Sequence, residues 1–140
     1  IARELKLPIA IHSRDAAQDT IQIMRASRAE EIGGVIHCYS YSKESARDFL
    51  NMGFYFGIGG VVTFKNAKKL KEAVAYIPLS NIVLETDAPY LTPEPFRGKR
   101  NDSSKLVYVA QAIADIKQIP VDEVYAETWK NAHQMYKIQK

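Results

Sequence analysis

Four short apolar runs, each followed by a stretch of helical periodicity, leave this chain very few folds. The runs are Ile9–His12, Val35–Cys38, Phe54–Gly59 and Asn81–Thr86. Each is too short for a stable helix and apolar at nearly every position, as in a strand covered on both faces. Between them the spacing predicts helices. One spans Asp15–Ala29, with Ala17, Ile21 and Met24 on one face and Gly33-Gly34 at its end. Another starts at Ser42, a candidate N-cap, buries Ala46, Phe49 and Leu50, and stops at Gly53. A third runs from the candidate cap Asn66 to about Ala75, with Pro78 closing it. A proline-containing loop from Ala88 to about Asp102 precedes two last helices, Ser103–Lys117 and Val121–Tyr136, divided by Pro120. Strands alternating with helices pair in parallel through right-handed crossovers. The predicted class is therefore α/β, with residues 1–140 forming one domain or part of one. Gly57 and Gly59 in the third run mark points where another group approaches the backbone closely.

Composition removes several alternatives. The chain is 46% hydrophobic and 25% charged, which excludes a disordered polar tail. No run of about 18 apolar residues is present, so no membrane-spanning helix is expected. A single cysteine, Cys38, excludes an internal disulfide and suits a reducing cytoplasm. The net charge of +3 is too small to argue for nucleic-acid binding by itself. The opening Ile1-Ala2-Arg3-Glu4-Leu5-Lys6-Leu7-Pro8 reads as the end of a helix and not as a signal peptide, so a longer parent protein is expected.

Polar residues end three of the four runs. His12 closes the first, His37 comes late in the second, and Asp87 follows the fourth. In parallel α/β folds the C-terminal ends of the strands form the active-site face. Imidazole and carboxylate are ligands of hydrolytic metal centres, so His12, His37 and Asp87 are a candidate metal site. Cys38 neighbours His37 on the strand and is expected to point the other way, packing outward beneath a helix. Glu85 shares a face with Asp87 by period two. Two readings of Glu85 stand side by side: it orients a ligand or a water, or it pairs with a nearby Lys or Arg. Basic residues gather in the loops of the same rim. Arg14 follows the first run, Lys65, Lys68 and Lys69 the third, and Arg97, Lys99, Arg100 and Lys105 the fourth. Such charge suits a phosphodiester substrate, with Asn66 and Asn101 adding donors for phosphate oxygens. The alternative is a solvated charged surface, to which Lys71 belongs.

The motifs resemble a known family. Pro8-Ile9-Ala10-Ile11-His12-Ser13-Arg14-Asp15-Ala16 is similar to the PVIIHSRDA strand of the TatD-family metal-dependent hydrolases. Gly34-Val35-Ile36-His37-Cys38-Tyr39-Ser40 resembles their GVIHCFSG strand, and Gly57 to Ala67 their GISGxVTFKNA segment. Leu84-Glu85-Thr86-Asp87-Ala88-Pro89-Tyr90-Leu91 and Arg97-Gly98-Lys99-Arg100-Asn101 match the closing motifs. The resemblance implies an amidohydrolase-like TIM barrel and deoxyribonuclease activity, including trimming of DNA from the 3′ end. It implies two divalent metal ions, with Mg²⁺, Mn²⁺ and Zn²⁺ undistinguished. His12 and His37 would hold one ion. Asp87 would hold the other with the attacking water, and would also act as catalytic general base.

Two departures from the family pattern stand out. Tyr41 occupies a position where the family usually has Gly; it either narrows the rim, stacks on a base, or is loop variation. The family's His-x-His pair and its metal-bridging Glu on an earlier strand have no counterpart, and His133 on the last helix cannot replace them. The chain is therefore expected to be the C-terminal half of the barrel, inactive alone. Its partners are expected to be DNA and either a second copy or the missing N-terminal half, with no membrane. The alternative functions are hydrolysis of another ester or amide, such as misacylated tRNA, and a non-catalytic assembly or binding fragment.

Overall fold

Parallel pairing gathers the apolar runs into one sheet. The computed structural model describes residues 1–138. A short helix α1 (Ala2–Leu5) leads into β1 (Ile9–His12) and α2 (Ala17–Ala26). Then come β2 (Gly34–His37), α3 (Lys43–Asn51), β3 (Tyr55–Ile58), α4 (Lys68–Tyr76) and β4 (Ile82–Leu84). The helices α5 (Leu106–Lys117) and α6 (Val121–Met135) follow a long loop. The four strands lie in sequence order β1-β2-β3-β4, all parallel. Sequential βα units of this kind make one half of a (β/α)₈ barrel. Among the described residues β1 and β4 are the two edges of the sheet. No described helix is long and apolar enough to cross a membrane.

The register decides which side chains meet. His12 lies opposite His37, Val35 opposite Tyr55, and Gly57 opposite Val83. By alternation, Ile36, Phe56, Ile58 and Ile82 share the face that packs on the helices, and all four are buried. Phe49 of α3, Val74 of α4 and Ile113 of α5 meet them there. Tyr39, Phe49 and Phe56 form an edge-to-face cluster, with the Tyr39 and Phe56 rings 5.0 Å apart. The opposite face carries His12, His37 and Gly57. Its lower part holds a small apolar group of Val35 and Val83 with Met135 of α6, against which Tyr55 and Ala132 pack.

Local departures from the expected elements have local causes. The first predicted helix is shorter than Asp15–Ala29: it ends at Ala26, and a separate 3₁₀ turn spans Ala29–Glu31. Ser42 caps α3 as expected, accepting from the Ser45 amide. Asn66 caps nothing; the chain makes a 3₁₀ turn over Gly60–Thr63, and Ala67 precedes α4. The ladder assigned to β4 stops at Leu84, although the Glu85 amide still donates to Ile58 O at 3.1 Å.

One side chain ties α6 to the sheet. Asn131 is fully buried, and its Nδ2 donates to Leu79 O and Ile82 O, each at 2.8 Å. Asn131→Ala strips both carbonyls of their donor, that of Ile82 in a buried site and that of Leu79 in a partly buried one. It is expected to lower stability by about 2–3 kcal/mol in chemical denaturation. A loss under about 0.5 kcal/mol would show that α6 is held by its apolar contacts alone.

Candidate metal centre

The site is built on the last residues of β1 and β2 and on the turn after β4. The β1–β2 register brings His12 and His37 side by side, with ring centroids 6.0 Å apart. His12 is exposed and His37 half-buried. Two carboxylates bracket the His37 ring. Nδ1–H donates to Glu85 Oε2 at 2.6 Å, and Nε2 lies 3.3 Å from Asp87 Oδ1.

Glu85 reaches β2 by crossing β3. It can do so because β3 carries no side chain at that point: a Cβ on Gly57 would lie 2.3 Å from Glu85 Oε2. At Gly59 a Cβ would contact the Glu85 backbone oxygen at 3.4 Å. The group expected to approach these glycines is therefore Glu85, through its side chain at Gly57 and its backbone oxygen at Gly59. Burial pushes the Glu85 carboxyl above its ordinary range, with Asp87 adding to the rise and His37 opposing it. Of the two readings of Glu85, the ion pair with a Lys or Arg is not what the structure contains. Its partner is a histidine ring and not a Lys or Arg, and its second oxygen, Oε1, is buried without a hydrogen bond.

Asp87 arrives at the ring by a different route. Its backbone is left-handed, at φ 54°, so the period-two argument that placed it beside Glu85 ends before it. The two carboxylates come to opposite nitrogens of one ring because the chain turns, not because a strand continues. Asn101 holds that turn. It is 2% exposed, and its Nδ2 donates to Thr86 O at 2.8 Å and to Tyr90 O at 2.7 Å. Its amide N donates to Pro89 O, and its Oδ1 accepts from Asp102 N. Expected to present donors to phosphate, Asn101 instead uses them all on backbone. The sequence gives this role one signal, an Asn closing a Gly-containing loop after a strand end.

Beside these groups is a cleft of about 440 Å³, lined by His12, Ser13, Arg14, Cys38, Asp87 and Tyr90, with Val61 and Leu91 among its apolar residues. Cys38 departs from expectation. Its backbone is also left-handed, at φ 49°, which rotates it from the outer face into the cleft wall. Burial, then the charges of Glu85 and Asp87, push its thiol up to about 11, so it is protonated at neutral pH. Tyr41 is half-buried and is held by its hydroxyl. Its hydroxyl hydrogen-bonds with Ser13 Oγ at 2.7 Å and accepts from Ala16 N at 3.2 Å, strapping the loop after β2 to the loop after β1.

The basic residues divide. Arg14 lines the cleft. Lys65, Asn66, Arg97 and Arg100 are exposed and outside its wall, and the Arg97 guanidinium sits 4.3 Å above the Phe64 ring. Lys105 pairs with Asp102 at 2.5 Å. His133 lies on α6, stacked on Trp129 at 3.6 Å.

The donors suit a divalent cation in kind. With the ring proton on Nδ1, His37 Nε2 and Asp87 Oδ1 are two acceptors 3.3 Å apart, an arrangement that a cation or proton between them stabilises. The set is short in number. Among the described residues no three His, Cys, Asp or Glu side chains group as a cage for an ion.

Comparison with known proteins supplies the context. Residues 1–137 match the family model described as TatD related DNase. The chain is 48% identical over 138 residues to the uncharacterized metal-dependent hydrolase YabD of Bacillus subtilis, covering 99% of this chain and 54% of that protein. It is 41% identical to the uncharacterized metal-dependent hydrolase YcfH of Escherichia coli K12, covering 99% and 52%. The crystal structure of YJJV, a TatD homolog from Escherichia coli K12, superposes with a TM-score of 0.91 at 27% identity, over 99% of this chain and 53% of that one. A hydrolase TatD family protein from Entamoeba histolytica shares the fold, with a TM-score of 0.83 at 22% identity over 94% and 51%. The chain thus spans about half the length of the curated relatives it matches.

Gly57→Ala is expected to drive Glu85 off His37 and to cost about 1–3 kcal/mol of stability. In a Glu85→Ala background the same substitution meets no carboxylate, so its cost should nearly vanish. Equal costs in the two backgrounds, read as a double-mutant cycle by denaturation, would contradict the crossing.

Proposed function

This chain belongs to the TatD-related DNase family, and we propose that it forms half the active-site rim of a metal-dependent hydrolase cleaving DNA phosphodiesters. The observation that carries the proposal is the His37 ring, bracketed by Glu85 and Asp87 beside His12 at the C-terminal rim of a parallel sheet. Divalent cations, one held by His12 and His37 and another by Asp87, each completed by ligands from outside this chain, would supply positive charge to a phosphoryl oxygen. Glu85 fixes the His37 ring and holds its proton on Nδ1. Asp87 Oδ accepts a proton from the attacking water. Arg14 pairs with a phosphate of the strand lying in the cleft. Cys38 stays protonated and takes no part as a nucleophile. The remaining ligands come from outside this chain, since the donors here fit a cation in kind and not in number.

The test is Asp87→Ala in a polypeptide that also supplies the other four strands. Hydrolysis of single-stranded DNA is expected to fall by at least about 10²-fold while DNA binding stays within about twofold. Unchanged hydrolysis would overturn the assignment of Asp87. Hydrolysis confined to esters or amides would overturn the phosphodiester reading.

The open edges at β1 and β4 support a second part of the proposal. Unpaired strands recruit pairing partners, so the chain assembles with a second copy or with a complementary half barrel. Light scattering of the 140-residue chain alone is expected to give a mass above the 15.8 kDa of one copy. A stable monodisperse monomer would contradict self-association.

A further inference from the structure

The cleft beside Asp87 contains a feature that metal chemistry does not use. Tyr90 lines it and is 71% exposed. An exposed aromatic ring is ordinary by itself. This one is unusual in how firmly its backbone is held. The Tyr90 amide donates to Asp87 O at 2.9 Å, and the Tyr90 carbonyl accepts from Asn101 Nδ2 at 2.7 Å. On the next residue, Leu91 O sits so close to Gly60 that a Cβ there would lie 2.0 Å from it. Thr63 Oγ1 accepts from the Glu94 amide at 2.8 Å, docking the same loop onto the turn after β3. Three residues from Asp87, a flat ring therefore projects from a fixed backbone into solvent at the cleft.

The surroundings narrow what the ring would meet. Val61 and Leu91 give the cleft apolar lining, and Arg14 gives it a guanidinium. A flat apolar surface beside a cation matches a ligand that is flat and apolar at one end and anionic at the other. Tyr41 is not an equivalent candidate, because it is half-buried and does not line this cleft.

We propose that Tyr90 is a stacking platform for one nucleobase of single-stranded DNA, next to the phosphodiester presented to Asp87. The proposal rests on the nucleic-acid reading above and adds a binding residue to it. Stacking on a phenol ring accepts any base, because every base has a π-face, so the platform selects single strands and not a sequence. Duplex DNA keeps its bases stacked on each other and gains nothing from it.

Fluorescence anisotropy on a polypeptide that also supplies the other four strands tests this with two labelled probes, a short oligothymidine and a fully abasic strand of the same length. Tyr90→Ala is expected to weaken oligothymidine binding by about 5- to 150-fold, the range expected for a lost base stack. Tyr90→Phe should bind within twofold of the unaltered chain, since it keeps the ring. The abasic strand should bind weakly and equally to all three proteins. Loss of both probes in parallel, or no loss of either, would overturn the platform while leaving nucleic-acid binding in place. If the unaltered chain binds neither strand, the nucleic-acid reading itself fails and the platform with it.

Discussion

The contact on which the site depends is the hydrogen bond from His37 Nδ1 to Glu85 Oε2, made across β3 at the point where Gly57 has no side chain. Three strands take part in it. Strand β2 supplies the ring, the residue after β4 supplies the carboxylate, and β3 supplies the gap. A buried carboxylate is costly unless something compensates its charge. Here the imidazole N–H offsets it in part, with Oε1 left without a hydrogen bond, and the same bond fixes the ring so that Nε2 faces Asp87. Orientation of the histidine and burial of the glutamate are one arrangement seen from two sides.

A second constraint acts in the loops. Asp15, Cys38, Asp87 and Leu91 all have φ near +50° and all follow strand ends on the site side. Left-handed backbone is unfavourable for residues with a Cβ, and it persists where surrounding contacts over-determine it. Asn101 supplies those contacts for Asp87, and the close approach at Gly60 supplies them for Leu91. The strands thus position the histidines, while side chain-to-backbone bonds and tight turns position Asp87, Cys38 and Tyr90.

That division explains what was legible in the sequence. The four strands and their parallel pairing follow from apolar runs between helical spacings, their sequential order follows from the family resemblance, and the placing of His12 with His37 follows from equivalent strand ends. The glycines of β3 announced a close approach, and its partner proved to be Glu85. Reasoning by alternation failed one residue past β2, at Cys38, and three residues past β4, at Asp87, because period two has no meaning once φ turns positive. Asn101 looked like a phosphate donor because residue type says nothing about burial. The strap made by the Tyr41 hydroxyl was not legible because its partners lie 25 to 28 residues earlier in the chain. Asn66 looked like a cap because the intervening 3₁₀ turn has no periodic signature.

The most direct test of this account is the tautomer of His37, read from its ring ¹⁵N chemical shifts by NMR in the neutral form. The crossing of β3 by Glu85 requires the proton on Nδ1 and an unprotonated Nε2. His12, exposed at the rim, provides an internal comparison. A neutral His37 protonated on Nε2 would mean that Glu85 does not orient the ring, and would contradict the central claim.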